Sequence, residues 1–517
     1  MSMINAVLEI ENLLNYSLQQ KLVEPYDIIP ARNALFELFK IDLSYNYCDI
    51  KNVPNTLIEI LNNLLQYAIE NSIIEDSSAS MDTFDTKIMG LLMPRQSEII
   101  RKFYEIYKKE GSKNATKFFY NLSKSSNYIR TDRILKNNHW ITSTEFGDLQ
   151  ISINLSRPYK PLDLQENTNK ICETSYPKCL LCIENVGFYG NKTMPARHNH
   201  RIVPIKLCNE DWYLQYSPYS YYEEHCILVN EKHKPMDISY KTFSRLLDFV
   251  DMFPNYFMGS NSELPIVGGS ILCHEHYQGG SYKFPLEISQ VETNFYNSYY
   301  KNTKLGIVKW PMSVIRISSN NKNELLSLSS LILENWRTYQ DKEQKIIPFT
   351  YKGEKKIQHN TITPIARKNS IGNFEVDVIL RNNRTSDKYP KGIFHSNETT
   401  HHIKAENIGI IESLGLAVLP GTLYEELKNI KYILSGKIEL NKISHIASLN
   451  KHISWIENLV AKYGISYTEE ESDNILKKEV GYKFLSMLAD AGVFKRDIQG
   501  QTAFYKFLNH LGFTLEH

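Results

Sequence analysis

The chain predicts an α+β fold, and three observations carry that expectation. Apolar residues recur at helical spacing over residues 1 to about 125, short alternating apolar runs with Pro and Gly punctuation follow Trp140, and helical spacing returns beyond about residue 425. A chain of 517 residues also exceeds the roughly 250 to 300 residues at which one hydrophobic core stops growing. Two or more units are therefore expected.

The first segment, 1–125, reads as a helical N-terminal extension. Val7, Leu8, Ile10, Leu13 and Leu14 share one helical face, as do Leu57, Ile58, Ile60, Leu61, Leu64 and Leu65. Glu75 to Ser80 is a polar break inside it. Leu149 to Leu155 then alternates apolar and polar residues as a half-buried strand does. His225 to Val229 reads as a buried strand, and Ser239 to Phe253 as an amphipathic helix with Phe243, Leu246, Leu247 and Val250 on its apolar side. Ser281 to Lys304 is polar and aromatic, and reads as a connection. A second unit begins near Leu305 with strands at 306–310 and 314–317, a helix from Leu325 to Tyr339, and a strand from Phe374 to Leu380. These patterns divide the chain into 1–125, 126–290, 300–425 and a helical C-terminal region, 426–517.

Composition excludes several classes. The 59 Lys and Arg against 58 Asp and Glu leave no basic footprint for nucleic acid. No apolar stretch reaches the roughly 20 residues needed to span a bilayer, and Met1 to Glu9 has neither the basic region nor the apolar core of a signal peptide. Seven cysteines, an odd number with no regular framework, fit a reducing compartment. A soluble cytoplasmic protein without membrane or nucleic-acid partners is the expectation.

The most informative segment is 268–280, GGSILCHEHYQGG. In an extended chain, residues at i, i+2 and i+4 share a face, which would align His274, His276 and Gln278. An unprotonated imidazole attacks phosphorus or accepts a proton, and a glutamine amide donates to a phosphate oxygen. Flanking glycines let the backbone approach a bulky ligand. The plainer alternative is a pair of satisfied histidines in a strand between two glycine turns.

Cys179 and Cys182 form a second signal, a C-x-x-C knuckle. In a reducing compartment it reads either as half a zinc site or as a redox pair. With no second knuckle in the sequence, the remaining ligands would be histidines, of which His233 and His274 are the best candidates and His225 a rival.

Together these segments resemble the galactose-1-phosphate uridylyltransferases, specifically their second, longer class found in many Gram-positive bacteria. The resemblance rests on Arg197 to Ile205, Gln215 to Tyr219, Tyr221 to Ile227, Gly259 to Gly280, His359 to Pro364, Arg381 to Thr385 and His401 to Gly409, and so spans most of the chain. It implies two histidine-triad-like units, each an antiparallel sheet with helices. It also implies that His276, the second histidine of H-x-H, attacks the α-phosphorus of UDP-glucose, and that galactose 1-phosphate resolves the uridylyl-histidine. Gln278 would hold a phosphate oxygen, Arg197 and Arg201 would neutralise the diphosphate, and Asn261 and Ser270 would complete the substrate site. By the same resemblance a structural zinc would be held by Cys179, Cys182, His233 and His274, with a reduced, metal-free knuckle as the alternative. A homodimer is implied as well, with the second half helping to cover the sugar phosphate.

Three readings of function remain open on these residues. They are the uridylyltransferase, another histidine-triad nucleotidyl transferase or hydrolase, and a zinc-stapled nucleotide-binding protein without turnover. His395, His401 and His402 read either as a further metal or phosphate cluster or as a polar loop leading into a helix at Glu406.

Overall fold

The computed structural model describes residues 5–41, 56–155, 176–191, 193–269 and 271–516. Their strands, in chain order, are β1 (Asn138–Thr144), β2 (Gly147–Asn154), β3 (Val203–Leu207), β4 (Glu210–Tyr216), β5 (Cys226–Asn230), β6 (Phe257–Gly259), β7 (His276–Gly280) and β8 (Val291–Tyr296). They continue with β9 (Lys304–Val308), β10 (Val314–Ser319), β11 (Phe349–Lys352), β12 (Lys355–Gln358), β13 (Asn360–Lys368), β14 (Phe374–Asn382), β15 (Leu416–Pro420) and β16 (Thr514–Leu515). Contacts divide the chain into two units. One comprises Met1–Leu135, Ile171–Ser220 and Cys226–His233, and the other Lys136–Lys170, Tyr221–His225 and Lys234–His517.

Among its described residues, the first unit holds six α-helices between Ala6 and Ser125 and the antiparallel meander β3-β4-β5. Thr56 starts the helix Leu57–Glu70 reciprocally: its hydroxyl accepts from the Glu59 N–H at 3.3 Å, and the Glu59 carboxylate accepts from the Thr56 N–H at 2.8 Å. Of the apolar stripe read from the sequence, Ile60, Leu61, Leu64 and Leu65 are buried, whereas Leu57 and Ile58 in the first turn are half-buried. The polar run at 75–80 is shorter as a break than its composition suggests. Ser77 accepts from the Ser80 N–H at 3.2 Å and opens the helix Ser78–Leu91 within it. Helices meet the meander through Tyr216, whose ring lies 5.2 Å from that of Phe119 and whose hydroxyl donates to the Thr116 carbonyl.

In the second unit eight strands run antiparallel in the order β16-β8-β9-β10-β14-β13-β6-β7. A smaller sheet joins β1 and β2 with β15, which lies parallel to β2. The mixed α+β class agrees with the sequence. The helix expected from Ser239 to Phe253 spans Tyr240–Met252 with Phe243, Leu246, Leu247 and Val250 buried. The helix expected at 325–339 spans Lys322–Thr338.

Residues 281–304 differ from the expected connection. They hold a helical turn, Pro285–Ile288, and β8. The cause is Arg316 on β10, which donates to the Leu286 and Ser289 carbonyls at 2.7 and 2.9 Å and so ties the turn down. Its guanidinium also forks onto the buried Asp377 carboxylate at 2.7 and 2.9 Å, which Arg367 reaches from β13 at 2.8 Å. Among the described residues, no helix is long and apolar enough to cross a membrane.

Candidate active site

The H-x-H-x-Q strand begins two residues later than the sequence suggests. β7 starts at His276, and His274 lies in a bend before it. That bend is held from the 234–236 segment, where the Met236 N–H donates to the Leu272 carbonyl and the Glu275 N–H to the Lys234 carbonyl. His276 and Gln278 share one face of β7, with Gln278 opposite Gly259 of β6. Tyr277 points to the other face, where Arg245 donates to its hydroxyl at 3.2 Å and to Glu275 at 2.7 Å. Lys234, its side chain partly exposed, completes the ion cluster at 2.9 Å from the buried Glu275. Glu275 and Tyr277 alternate with the histidines in sequence, so the anchored back face was legible as a pattern. Its partner Arg245, thirty residues away, was not.

His276 is 5% exposed. Its Nδ1 lies 2.7 Å from the His274 carbonyl oxygen. A carbonyl only accepts, so Nδ1 carries the proton and Nε2 carries the lone pair. Burial lowers the ring's pKa to about 4, which keeps the imidazole neutral near pH 7. An imidazole in this tautomer and charge state has an Nε2 lone pair that can attack phosphorus or accept a proton.

A second buried imidazole stands beside Gln278. His225, 3% exposed, also has its pKa lowered to about 4 by burial, with the Gln278 side chain opposing that shift. The ring stacks with Tyr221 at a centroid distance of 5.4 Å and lies tilted against Tyr222 at 4.6 Å. The loop that carries it is docked on the end of β7, because the Tyr222 hydroxyl donates to the Gly279 carbonyl at 3.0 Å. Gly280 permits the approach: a Cβ there would lie 2.8 Å from the Glu224 carbonyl oxygen. Sequence reading offered His225 as a metal ligand, and no local pattern pointed to Gln278, fifty-three positions on.

In the first unit, Cys179 and Cys182 are reduced, with their sulfurs 3.5 Å apart. The Asn185 amide braces the knuckle by donating to both their carbonyls at 2.8 and 2.9 Å. His233 places Nδ1 at 3.1 Å from the Cys182 sulfur. The ligand atoms of these three lie within 4.8 Å of one another, in a group that suits a metal ion. Two soft sulfurs and an imidazole are a donor set that favours zinc over a hard cation. His225 does not belong to this group.

The remaining expected site residues are placed as follows. Arg197 is buried and donates to the Tyr128 hydroxyl at 2.9 Å. Arg201 donates to the Pro94, His198 and His200 carbonyls at 3.1, 2.9 and 2.8 Å, and burial lowers its pKa to about 10. His200 stacks on Tyr128 with centroids 4.6 Å apart. Asn261 accepts from the Ile410 N–H at 2.9 Å, which caps the turn Ile410–Ser413. Ser270 lies outside the described residues.

His395, His401 and His402 form no metal group among the described residues. His401 binds the Ser396 carbonyl at 2.9 Å and His395 lies 3.2 Å from the Asn407 side-chain oxygen. His402 is hydrogen-bonded to His452 at 2.8 Å, and His452 to Glu426 at 2.9 Å. The helix expected at Glu406 begins at Ile410.

Two family models match the chain. The N-terminal domain of galactose-1-phosphate uridyl transferase matches residues 27–235, and the C-terminal domain matches residues 249–450. The chain belongs to this family. A galactose-1-phosphate uridylyltransferase of Caldanaerobacter subterraneus subsp. tengcongensis is 55% identical over 511 residues, covering 98% of both chains. One of Clostridium acetobutylicum is 52% identical over 505 residues, covering 97% of this chain and 99% of that one. One of Bacillus subtilis is 43% identical over 509 residues, covering 97% of each. No solved structure matches.

Proposed function

We propose that this protein transfers the uridylyl group of UDP-glucose to galactose 1-phosphate by two displacements at His276. The observation that carries the reading is the 2.7 Å contact of His276 Nδ1 with the His274 carbonyl, which leaves Nε2 as a fixed, neutral nucleophile. In the first displacement the Nε2 lone pair forms a bond to the α-phosphorus. The bond from that phosphorus to the bridging oxygen breaks, and glucose 1-phosphate leaves with the electron pair. In the second, a phosphate oxygen of galactose 1-phosphate attacks, the phosphorus–nitrogen bond breaks, and UDP-galactose leaves with His276 restored. Covalent catalysis replaces one hard step by two easier ones. The Gln278 amide donates to a non-bridging oxygen as charge develops.

The same family resemblance supports Arg197 and Arg201 as the cations facing the diphosphate, and Asn261 and Ser270 as further substrate contacts. Arg197 is the stronger of the two cations, since Arg201 already serves three main-chain carbonyls. Zinc is proposed at Cys179, Cys182 and His233, with His274 as the fourth donor. Four protein ligands would close its coordination, and bound there it would supply structural rigidity. A cytoplasmic homodimer is proposed from the family alone.

Acceptor competition tests the reading. Incubated with UDP-glucose and galactose 1-phosphate, the protein should form UDP-galactose, and with UDP-glucose and labelled glucose 1-phosphate it should exchange label without net reaction. Release of UMP to water at the same rate, with no sugar-phosphate dependence, would instead mark a hydrolase.

A further inference from the structure

His225 sits where the proposed chemistry needs an orienting group. Its two ring nitrogens are buried, and neither meets full hydrogen-bond geometry with a described residue. Each would ordinarily be satisfied in a folded protein. The polar side chain that faces the ring is Gln278. The ring is held for that contact by the stacked Tyr221 and the tilted Tyr222, whose hydroxyl is itself anchored on the Gly279 carbonyl. A neutral imidazole has one N–H to give, and a glutamine amide has two ends that differ in function: its oxygen accepts, its nitrogen donates.

We propose that His225 is a positioning residue, which donates its ring N–H to the Gln278 side-chain oxygen and so turns the amide nitrogen toward the phosphoryl oxygens. This rests on the uridylyl transfer proposed above and extends it to a residue that touches neither substrate nor metal. Without His225 nothing fixes which end of the amide faces the phosphoryl oxygens, and the donation that strengthens as charge develops on them is lost. The loss therefore falls on the transition state rather than on nucleotide binding.

A double-mutant cycle tests it on the full-length protein. Gln278→Ala lowers kcat about 10²-fold, the cost of one transition-state donor. His225→Phe, which keeps the ring stack but has no donor, lowers kcat about five- to tenfold, the worth of one hydrogen bond, with the KM for UDP-glucose unchanged. In the Gln278→Ala background His225→Phe has no further effect, because it acts only through the amide. His225→Asn restores part of the loss by supplying a donor, and it serves alone should the Phe variant fold poorly. Multiplying effects in the double variant, or an unaltered kcat in His225→Phe, would overturn the positioning role and leave uridylyl transfer standing. Wild-type turnover in Gln278→Ala alone would overturn both.

Discussion

Replacing Gly279 by alanine tests whether the placement of β7 controls catalysis. The added Cβ would lie 2.4 Å from the Phe257 carbonyl oxygen and 2.6 Å from Met258 Cε. Ordinary contact begins at 3.4 Å, so the shortfall against the carbonyl is 3.4 − 2.4, about 1 Å. Met258 is fully buried, which gives its side chain little room to yield. The carbonyl belongs to β6, whose Phe257 and Met258 pair with Gly280 and Gly279, so relief requires the two strands to separate. His276 and Gln278 move with β7. Overpacking of this kind destabilises by about 1 to 3 kcal/mol, and a 1 Å misplacement of reacting groups costs about 10²-fold in rate. Steady-state formation of UDP-galactose, run beside denaturant unfolding, should give a kcat reduced about 10²-fold in a protein that still folds. Gly353→Ala is the control. Its Cβ meets nothing within 4 Å but its φ is +62°, so it should lose stability and keep its kcat. A Gly279→Ala enzyme within twofold of wild type would refute the argument that strand position sets the rate.

Three further outcomes are expected. Elemental analysis of the purified protein should find stoichiometric zinc, and Cys179→Ser with Cys182→Ser should remove it and lower the unfolding temperature; equal metal content in both proteins would sink the knuckle as a ligand pair. Asp377→Asn should destabilise the second unit by about 3 to 5 kcal/mol, the cost of breaking a buried ion pair and stranding its guanidinium groups, read as a fall in denaturant midpoint. Burial pushes the Asp377 carboxyl up, but Arg316 and Arg367 outweigh it and hold it below its ordinary value. Its contribution is therefore present above the unfolded-state value near 3.8 and lost as pH falls through the folded value. Wild type should lose stability on acidification below about pH 4, and Asp377→Asn should show a shallower acid limb; parallel acid limbs would contradict the assignment.

Helices were the most legible part of the fold, because their signal is local. Phe243, Leu246, Leu247 and Val250 lie on one turn-to-turn stripe, and all four are buried. β14 was legible too, although its central Asp377 would read as an outward charge; only Arg316 and Arg367 from neighbouring strands make its burial tolerable. β8 was missed because its partners are β9 and the distant β16, and its own alternation is short. In the site, the C-x-x-C knuckle called for histidine partners, with His233 and His274 offered and His225 a rival, and the folded chain brings His233 to Cys179 and Cys182. The phase of the H-x-H segment was less legible. Alternation placed His274 inside the strand, whereas main-chain hydrogen bonds from residues 234–236 bend it away before β7 begins. The approach of His225 to Gln278 depends on a loop docked through Tyr222 and admitted by Gly280, which no periodicity encodes.

The central claim is a covalent bond at one nitrogen, and trapping tests it most directly. Protein incubated with UDP-glucose alone, quenched and digested, should carry a uridylyl group on the peptide containing His276. The bond should be labile to acid and stable to alkali, as a phosphorus–nitrogen linkage is, and galactose 1-phosphate should discharge it as UDP-galactose. His276→Ala should give no adduct. A uridylylated peptide that lacks residue 276, or full turnover in His276→Ala, would contradict the account.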